Sequence, residues 1–311
     1  MRANIIDFLS KYDRPIAIAL GFFDCIHKGH YNLVRQTINY AENHSECQSA
    51  ILTFSNDPNV FFCKDKQICT FENRVYILEK AGIDNIVKAH FDARFARLSP
   101  KDFLDTLTCN FNVKAIFVGA DYTFGKNAEG NVDFLSKYCK EHGICLEILP
   151  FEKVGGEKLS TSNLKTLVKS GNVKELNCHL AMPYFMTGTV LHARHKGTGM
   201  GFPTVNIAPD PDRIALCDGI YATFCVVEGK KYQSMTNVGK KPTFDDQSVS
   251  VETYIFDFDG DLYGKTVTIY FVERTRDVQK FESVDALKNQ LVRDEAAIRA
   301  ILNDCDDTNI R

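Results

Sequence analysis

Residues 21–30 read GFFDCIHKGH, and this stretch lies between a short apolar run, 16–20, and a segment of helical periodicity, 31–41. A turn from a strand into a helix presents free backbone N–H groups and the positive end of the helix dipole, which together favour phosphate. His27 and His30 add two imidazoles that can donate hydrogen bonds to phosphate oxygens. The stretch therefore predicts a phosphate-binding turn in an α/β domain.

The alternation of strands and helices continues on the C-terminal side of this turn. Apolar runs at 50–54 and 115–118 predict strands, and helices are predicted over 71–81 and from Pro100 to Leu107. This βαβ rhythm is typical of a parallel sheet. Ser160, Thr161 and Ser162 form a good N-cap cluster and predict two further short helices, which end near residue 180.

The pattern changes after residue 184. Short β-rich runs such as 221–227 and 266–272 are separated by Gly, Pro and Asp turns, which indicates an antiparallel barrel or sandwich. A final helix is predicted over 283–302. The sequence thus predicts an α/β domain over 1–180 and a β domain over 181–311.

Composition narrows the functional classes. The chain has 311 residues, and 37 Lys and Arg against 40 Asp and Glu give a net charge of −3, so neither a nucleic acid nor an anionic membrane is an expected partner. No apolar run approaches the roughly 18 residues of a membrane span, and no signal-peptide pattern is evident, so a cytoplasmic location is expected. The 11 cysteines lack a CxxC pair and are interpreted as small reduced core residues. The oligomeric state stays open.

A second cluster, HARHKGTGMGFPTVN, spans residues 192–206. Glycines permit a loop to fold tightly over phosphate, and the predicted phosphate-binding set here is Gly197, Gly199, Gly201 and Pro203. Thr204 and Asn206 alternate to one side of an extended segment and offer two neutral oxygens to a hard cation. They are the predicted magnesium ligands.

Taken together, these motifs resemble a known family over nearly the whole chain. The string at 21–30 and the segments 52–54, 91–96, 118–125 and 159–165 resemble the HxGH nucleotidyltransferase module of the bifunctional riboflavin kinase/FMN adenylyltransferase family. The segments 192–206, 218–221, 237–244, 251–254 and 261–264 resemble its riboflavin kinase module. The resemblance implies a Rossmann-like N-terminal domain with a parallel sheet and a six-stranded antiparallel β-barrel with a terminal helix.

For the N-terminal domain, the resemblance implies attack of the FMN phosphate on the α-phosphorus of ATP, with release of pyrophosphate. It assigns catalytic roles to His27, His30 and Lys165. The residues it places around ATP and its phosphates are Gly21, Phe22, Asp24, Gly29, Ser160, Thr161 and Ser162, and those lining the flavin and nucleotide pocket are Asp121, Phe124 and Gly125.

For the C-terminal domain, the resemblance implies transfer of the γ-phosphate of ATP to the ribityl hydroxyl of riboflavin. Glu252 is the expected general base, because an alcohol is a poor nucleophile until a carboxylate takes its proton. Asn237 and Arg276 are expected in the flavin and nucleotide pocket. The small-molecule substrates are riboflavin, FMN and ATP, with magnesium as the metal.

Two departures from the family pattern leave alternatives open. Lys165 stands where the family has Arg, and Asp57 stands where it has His in a Pro-His-Pro pattern. The leading hypothesis is a bifunctional enzyme. The first alternative is a riboflavin kinase with a weak or inactive adenylyltransferase domain, and the second is a flavin or nucleotide sensor without catalysis.

Overall fold

The computed structural model describes residues 2–62, 65–150, 153–154, 157–158, 160–191, 202–240 and 249–305. The chain divides into two compact units, Met1–Thr161 and Ser162–Arg311. This division falls earlier along the chain than residue 180, so the predicted domain limits stay a prediction. The predicted phosphate-binding glycines Gly197, Gly199 and Gly201 lie outside the described residues.

The first unit alternates strands with helices. Its elements are β1 (Asn4–Asp7), β2 (Tyr12–Leu20), α1 (Lys28–Asn43), β3 (Gln48–Phe54), α2 (Pro58–Phe61), α3 (Phe71–Ala81), β4 (Asn85–Ala89), α4 (Pro100–Asn110), β5 (Phe111–Gly119), α5 (Val132–His142), β6 (Cys145–Leu149), β7 (Lys153–Val154) and β8 (Glu157–Lys158). Short 3₁₀ turns lie at Asp24–Ile26, Phe95–Arg97 and Lys126–Ala128.

Strands β1 to β6 form one parallel sheet in the order β1-β4-β3-β2-β5-β6, which confirms the predicted α/β fold. The central strand β2 is apolar at Ile16, Ile18 and Leu20, and these side chains are fully buried, as expected for a strand covered on both faces. The strand order reverses between β2 and β5. Ligands of open α/β sheets bind at the carboxyl ends of the strands at such a switch point.

Local signals in the sequence set the helix ends. The Thr70 side chain accepts a hydrogen bond from Asn73 N at the start of α3, and Gly82 ends this helix with φ 90°. The Ser99 side chain caps α4 in the same way, with Pro100 in its first turn. These caps satisfy N–H groups that the helix leaves unpaired, and glycine adopts the left-handed conformation without strain.

The second unit contains α6 from Ser162 onward (Thr161–Ser170), α7 (Val173–His179), β9 (Phe185–Thr189), β10 (Thr204–Ile207), β11 (Gly219–Val227), β12 (Lys230–Lys240), β13 (Val249–Ile255), β14 (Thr266–Arg276) and α8 (Val284–Asn303). Its six strands are antiparallel, in the order β10-β13-β12-β11-β14-β9. Leu191 N, just after β9, donates to Asn206 O on β10 over 2.8 Å and joins the two end strands. The six-stranded antiparallel architecture and the terminal helix are confirmed.

The barrel interior includes a chain of buried hydroxyl groups. Thr223 Oγ1 lies 2.8 Å from both Ser234 Oγ and Thr236 Oγ1, and Thr236 Oγ1 lies 2.9 Å from Thr253 Oγ1. All four side chains are fully buried. Because the hydroxyls pair with one another, their burial leaves no polar group unsatisfied.

The interpretation of the cysteines as core residues is wrong in part. Among the ten cysteines that the structure describes, five are buried, but Cys109, Cys145 and Cys178 are exposed. These three lie at or near the ends of α4, β6 and α7, where their side chains stay exposed to solvent. Among the described residues, no helix is long and apolar enough to cross a bilayer.

Candidate active sites

The turn at 21–30 carries unusual backbone strain. Phe23, Cys25 and Ile26 have φ values of 56°, 60° and 34°, a region that side chains other than glycine rarely adopt. Such conformations cost about 1–3 kcal/mol each and persist only where surrounding contacts hold them. The geometry of the site therefore depends on the contacts that hold this turn in place.

Asp24 makes the first of these contacts. Its side chain is 1% exposed, and its carboxylate accepts hydrogen bonds from Ile68 N and Cys69 N, each at 2.9 Å for Oδ1. The carboxylate thus joins the turn to the segment that precedes α3. The predicted contact of Asp24 with ATP stays a prediction.

Arg74 on α3 continues this network and was not among the residues predicted from the sequence. Its side chain is fully buried, Nη1 donates to Gln67 Oε1 at 2.8 Å and to Cys69 O at 2.7 Å, and Nη2 donates to Phe54 O at 2.6 Å. Burial lowers the pKa of Arg74, while the nearby Asp24 carboxylate acts in the opposite direction. The available signal was its position three and four residues before Ile77 and Leu78, on the buried face of the helix.

The two imidazoles lie against each other at the start of α1. His27 is the N-cap, and its Nδ1 accepts a hydrogen bond from His30 N at 3.2 Å. The ring centroids are 3.7 Å apart with planes inclined by 16°. Because Nδ1 of His27 is an acceptor, the neutral ring carries its proton on Nε2 and can donate from there.

His30 is held neutral by its surroundings. Burial lowers its pKa well below 6.5, and the adjacent His27 lowers it further. Its Nδ1 is buried and has no hydrogen-bond partner among the described residues. This nitrogen can therefore form one further hydrogen bond, to water or to a ligand.

A cavity of about 1000 Å³ opens beside these rings. It lies at the carboxyl ends of β2 and β5, where the strand order reverses. Ten of the predicted site residues line it: Gly21, Phe22, His27, Gly29, His30, Asp121, Phe124, Gly125, Ser160 and Thr161. The fold therefore brings together residues that are far apart in the sequence.

One wall of the cavity is aromatic, and its residues were not among the site residues predicted from the sequence. Phe54 lies with its ring centroid 5.3 Å from that of Phe91 and 5.2 Å from that of Phe95. Phe61 and Phe62 extend the wall and are 46% and 54% exposed. The high phenylalanine content of the segments 54–62 and 91–95 was the signal available in the sequence.

The loop after β5 also lines the cavity. Phe124 is 7% exposed and stacks on Tyr122 with ring centroids 5.4 Å apart, so it serves both core packing and the cavity. Gly125 has φ 74°, and a Cβ there would lie 2.7 Å from Pro100 N. Only glycine fits this position without a shift of the backbone.

The structure gives Asp57 a local role. Its Oδ1 accepts from Asn59 N at 2.8 Å and caps α2, whose residues Pro58 and Asn59 line the cavity. Ser162 and Lys165 belong to the second unit, where Ser162 is exposed and Lys165 is 8% exposed on α6. The catalytic role of Lys165 stays a prediction.

The second unit aligns its predicted residues in one row across the sheet. Glu252 on β13 pairs with Asn206 on β10 and with Asn237 on β12. Ile220 on β11 pairs with both Asn237 and Arg276, so the row continues onto β14. Directly opposed residues of neighbouring strands project to the same face, with Cβ atoms about 4.5–5.5 Å apart.

The centre of this row is half-buried and polar. Asn237 Oδ1 is buried and lacks a hydrogen-bond partner among the described residues. Thr204 precedes Asn206 by two residues and projects to the same side of β10. Pro203 stands exposed immediately before this strand.

The Arg276 end of the row holds the terminal helix. Arg276 Nε and Nη2 bind the Asp294 carboxylate at 3.0 and 2.6 Å, and Gln290 Nε2 donates to the same carboxylate at 2.8 Å. Asp294 is 7% exposed on α8. The structure thus shows Arg276 anchoring α8, and its predicted place in the flavin pocket stays a prediction.

A switch-point cavity with paired imidazoles in one unit, and a strand row with one carboxylate between two amides in the other, are features typical of a transferase that acts on phosphate-bearing substrates. The family models for FAD synthetase and riboflavin kinase match residues 9–163 and 180–302. The chain belongs to the bifunctional riboflavin kinase/FMN adenylyltransferase family. It phosphorylates riboflavin to FMN and adenylylates FMN to FAD, which confirms the leading hypothesis.

Relatives match over most of their length. The bifunctional riboflavin kinase/FMN adenylyltransferase of Listeria monocytogenes is 32% identical over 93% of this chain and 93% of its own. The Bacillus subtilis protein of the same name is 31% identical over 92% of each chain. A crystal structure from Streptococcus pneumoniae, described as a macrolide-efflux protein, superposes with a TM-score of 0.85 at 30% identity, covering 95% of this chain and 98% of its own.

Proposed function

We propose that the two reactions are divided between the two units, with adenylyl transfer in the switch-point cavity and riboflavin phosphorylation at the Asn206–Glu252–Asn237 row. The observation that carries this division is the placement of the predicted residues. One set lines a single cavity of the first unit, and the other lies in register on neighbouring strands of the second. Each unit thus has a separate set of polar groups suited to its reaction.

In the cavity, the imidazoles act on the phosphates of ATP. His27 Nε2 donates to a phosphate oxygen, and His30, kept neutral by burial, presents a second polar ring beside it. The α1 N-terminus adds backbone N–H groups and a favourable dipole. These fixed donors stabilise the negative charge that shifts onto the leaving pyrophosphate.

The aromatic wall is the proposed binding surface for the ring system of the flavin. A planar isoalloxazine ring matches a surface built from Phe54, Phe61 and Phe91, because stacked and edge-on aromatic contacts favour a second flat π-system. A cavity of about 1000 Å³ is at the upper end of the usual range for small-molecule sites. That size suits a site for two substrates, FMN and ATP.

At the barrel row, Glu252 takes the proton of the ribityl hydroxyl as the phosphoryl group moves onto its oxygen. Asn237, directly opposite on β12, holds the substrate through its buried, unpartnered Oδ1, which can accept a hydrogen bond from a hydroxyl or an N–H group. We propose that both reactions take place in the cytoplasm, where their ATP is available.

The donor set of β10 fits magnesium. Thr204 and Asn206 offer neutral oxygens, and Mg²⁺ binds such sites when substrate phosphates and water complete its shell. These two residues would hold the ion, which when bound neutralises charge on the ATP phosphates. The described residues contain no cluster of three His, Cys, Asp or Glu residues that could hold a metal by themselves.

The magnesium assignment is tested with Thr204→Val. We expect the magnesium concentration for half-maximal FMN formation to rise by about tenfold or more, because a ligand oxygen is lost. Thr187→Val, an exposed threonine on β9 of the same barrel, is the matched control and should leave this value unchanged. The products are separated by chromatography. An unchanged magnesium requirement in Thr204→Val would remove Thr204 from the metal site.

A further inference from the structure

We propose that Arg74 is a positioning residue for adenylyl transfer: it locks the strained turn at 21–30 in the conformation that presents the imidazoles and Phe22 to the cavity. Arg74 itself does not line this cavity in the described part of the chain. The proposal rests on the assignment of adenylyl transfer to the first unit.

Arg74 joins two segments that flank the turn. Its Nη2 binds Phe54 O at the end of β3, and its Nη1 binds Cys69 O. The backbone N–H of the same Cys69 donates to Asp24 in the centre of the turn. A continuous path of short hydrogen bonds therefore runs from the sheet through the guanidinium to the strained backbone.

Phe22 is held from two sides. The Arg74 guanidinium carbon lies 4.8 Å from the centroid of the Phe22 ring, a cation–π distance. The backbone of Phe22 is held as well, since Thr53 Oγ1 donates to Phe22 O at 2.7 Å. Since Phe22 lines the cavity, the position of its ring there depends on the buried guanidinium of Arg74.

The strain gives the network a function beyond packing. Phe23, Cys25 and Ile26 all have positive φ, and relaxation of the turn would move the N-cap His27 that follows them. Displacements of about 1 Å from a productive geometry can lower a reaction rate by about 100-fold. A network that prevents this relaxation therefore acts on the rate of the chemical step.

Arginine suits this position for a geometric reason. Its planar fork reaches Gln67, Cys69 O and Phe54 O at once. A lysine keeps the charge but lacks the rigid, branched set of donors. The two residues are therefore not equivalent here, and their comparison separates geometry from charge.

The test compares Arg74→Met, Arg74→Lys and, as a matched control, Arg35→Met on the exposed face of α1. FAD formation is measured from supplied FMN and ATP, and FMN formation from riboflavin reports the kinase of the same chain. We expect kcat for FAD formation to fall by about 30-fold or more in Arg74→Met and by about tenfold in Arg74→Lys. The kinase kcat should stay within about threefold of wild type, and the KM values for FMN and ATP should change less than the kcat for FAD formation, since Arg74 itself does not line the cavity.

Two results would overturn the proposal. One is a kcat for FAD formation within threefold of wild type in Arg74→Lys, which retains the charge and most of the volume and so is the safer variant for folding. The other is a loss in Arg74→Met that follows, in proportion, the loss of folded protein measured by near-UV circular dichroism, because that indicates a purely structural role. Full activity of His30→Asn would instead remove the proposed cavity assignment itself.

Discussion

The two candidate active sites hold their functional groups in place by different means. In the first unit, the imidazoles follow a turn with three positive φ values, and buried polar side chains hold that turn. In the second, Glu252 and its neighbours lie on regular strands, and the hydrogen-bonded register places them side by side. A site on a turn depends on distant buried groups, whereas a site on a sheet depends on strand pairing.

The electrostatic character of the two regions differs as well. The cavity holds His30 as a neutral ring through burial. The barrel row instead offers the carboxylate of Glu252 among neutral amide and hydroxyl oxygens. The first arrangement suits charge stabilisation on phosphates, and the second suits removal of a proton from an alcohol.

The largest expected effect is the loss of the kinase in Glu252→Gln. Removal of the general base should lower FMN formation from riboflavin by about 100-fold or more, while FAD formation from supplied FMN stays within twofold of wild type. Glu228→Gln, an exposed glutamate outside the row, is the control. Kinase activity within tenfold of wild type would refute the assignment of Glu252 as the base and weaken the contrast between the regions.

The reciprocal variant, His30→Asn, should have an effect of similar or somewhat smaller size on the other reaction. Loss of one pre-positioned polar group in a transition-state site costs about 100-fold in rate, so FAD formation should fall by that amount with the kinase unchanged. His44→Asn, an exposed histidine after α1, is the matched control. A parallel loss of both activities in His30→Asn would mean that the two regions are not separate sites.

The smallest expected effect concerns stability. Since the pKa of His30 is lowered in the folded state, the unfolded chain binds a proton below about pH 6.5 that the folded chain does not. The free energy of unfolding should therefore fall with falling pH in this range, by at most about 1.4 kcal/mol per pH unit from this group.

Urea unfolding at pH 7.5, 6.5 and 5.5, followed by far-UV circular dichroism, measures this slope. His30→Asn should flatten it, and His44→Asn should not. Equal slopes in wild type and His30→Asn would show that His30 is not held neutral by the fold. The proposed electrostatic difference between the cavity and the barrel row would then be refuted.

Much of the first site could be predicted from the sequence, because its groups are concentrated in local motifs. The turn at 21–30 and the residues 121–125 each follow a strand of the same sheet, and parallel strands bring their carboxyl ends to one edge. Arg74 and the aromatic wall were not predicted. Whether an arginine is buried or a phenylalanine is exposed depends on how the whole chain packs. The predicted phosphate-binding residues Gly197, Gly199 and Gly201 lie outside the described residues.

The sequence by itself determined the alternation of strands and helices, the helix ends at Thr70, Gly82 and Ser99, and the chemical character of the two motifs. These depend on side-chain periodicity and capping over a few residues, which are short-range properties. Only the tertiary structure decided that Asn206, Glu252 and Asn237 share one row, because strand register is set by pairing between distant segments. It likewise decided that a buried guanidinium supports the strained turn, since that contact requires α3 to pack beneath it.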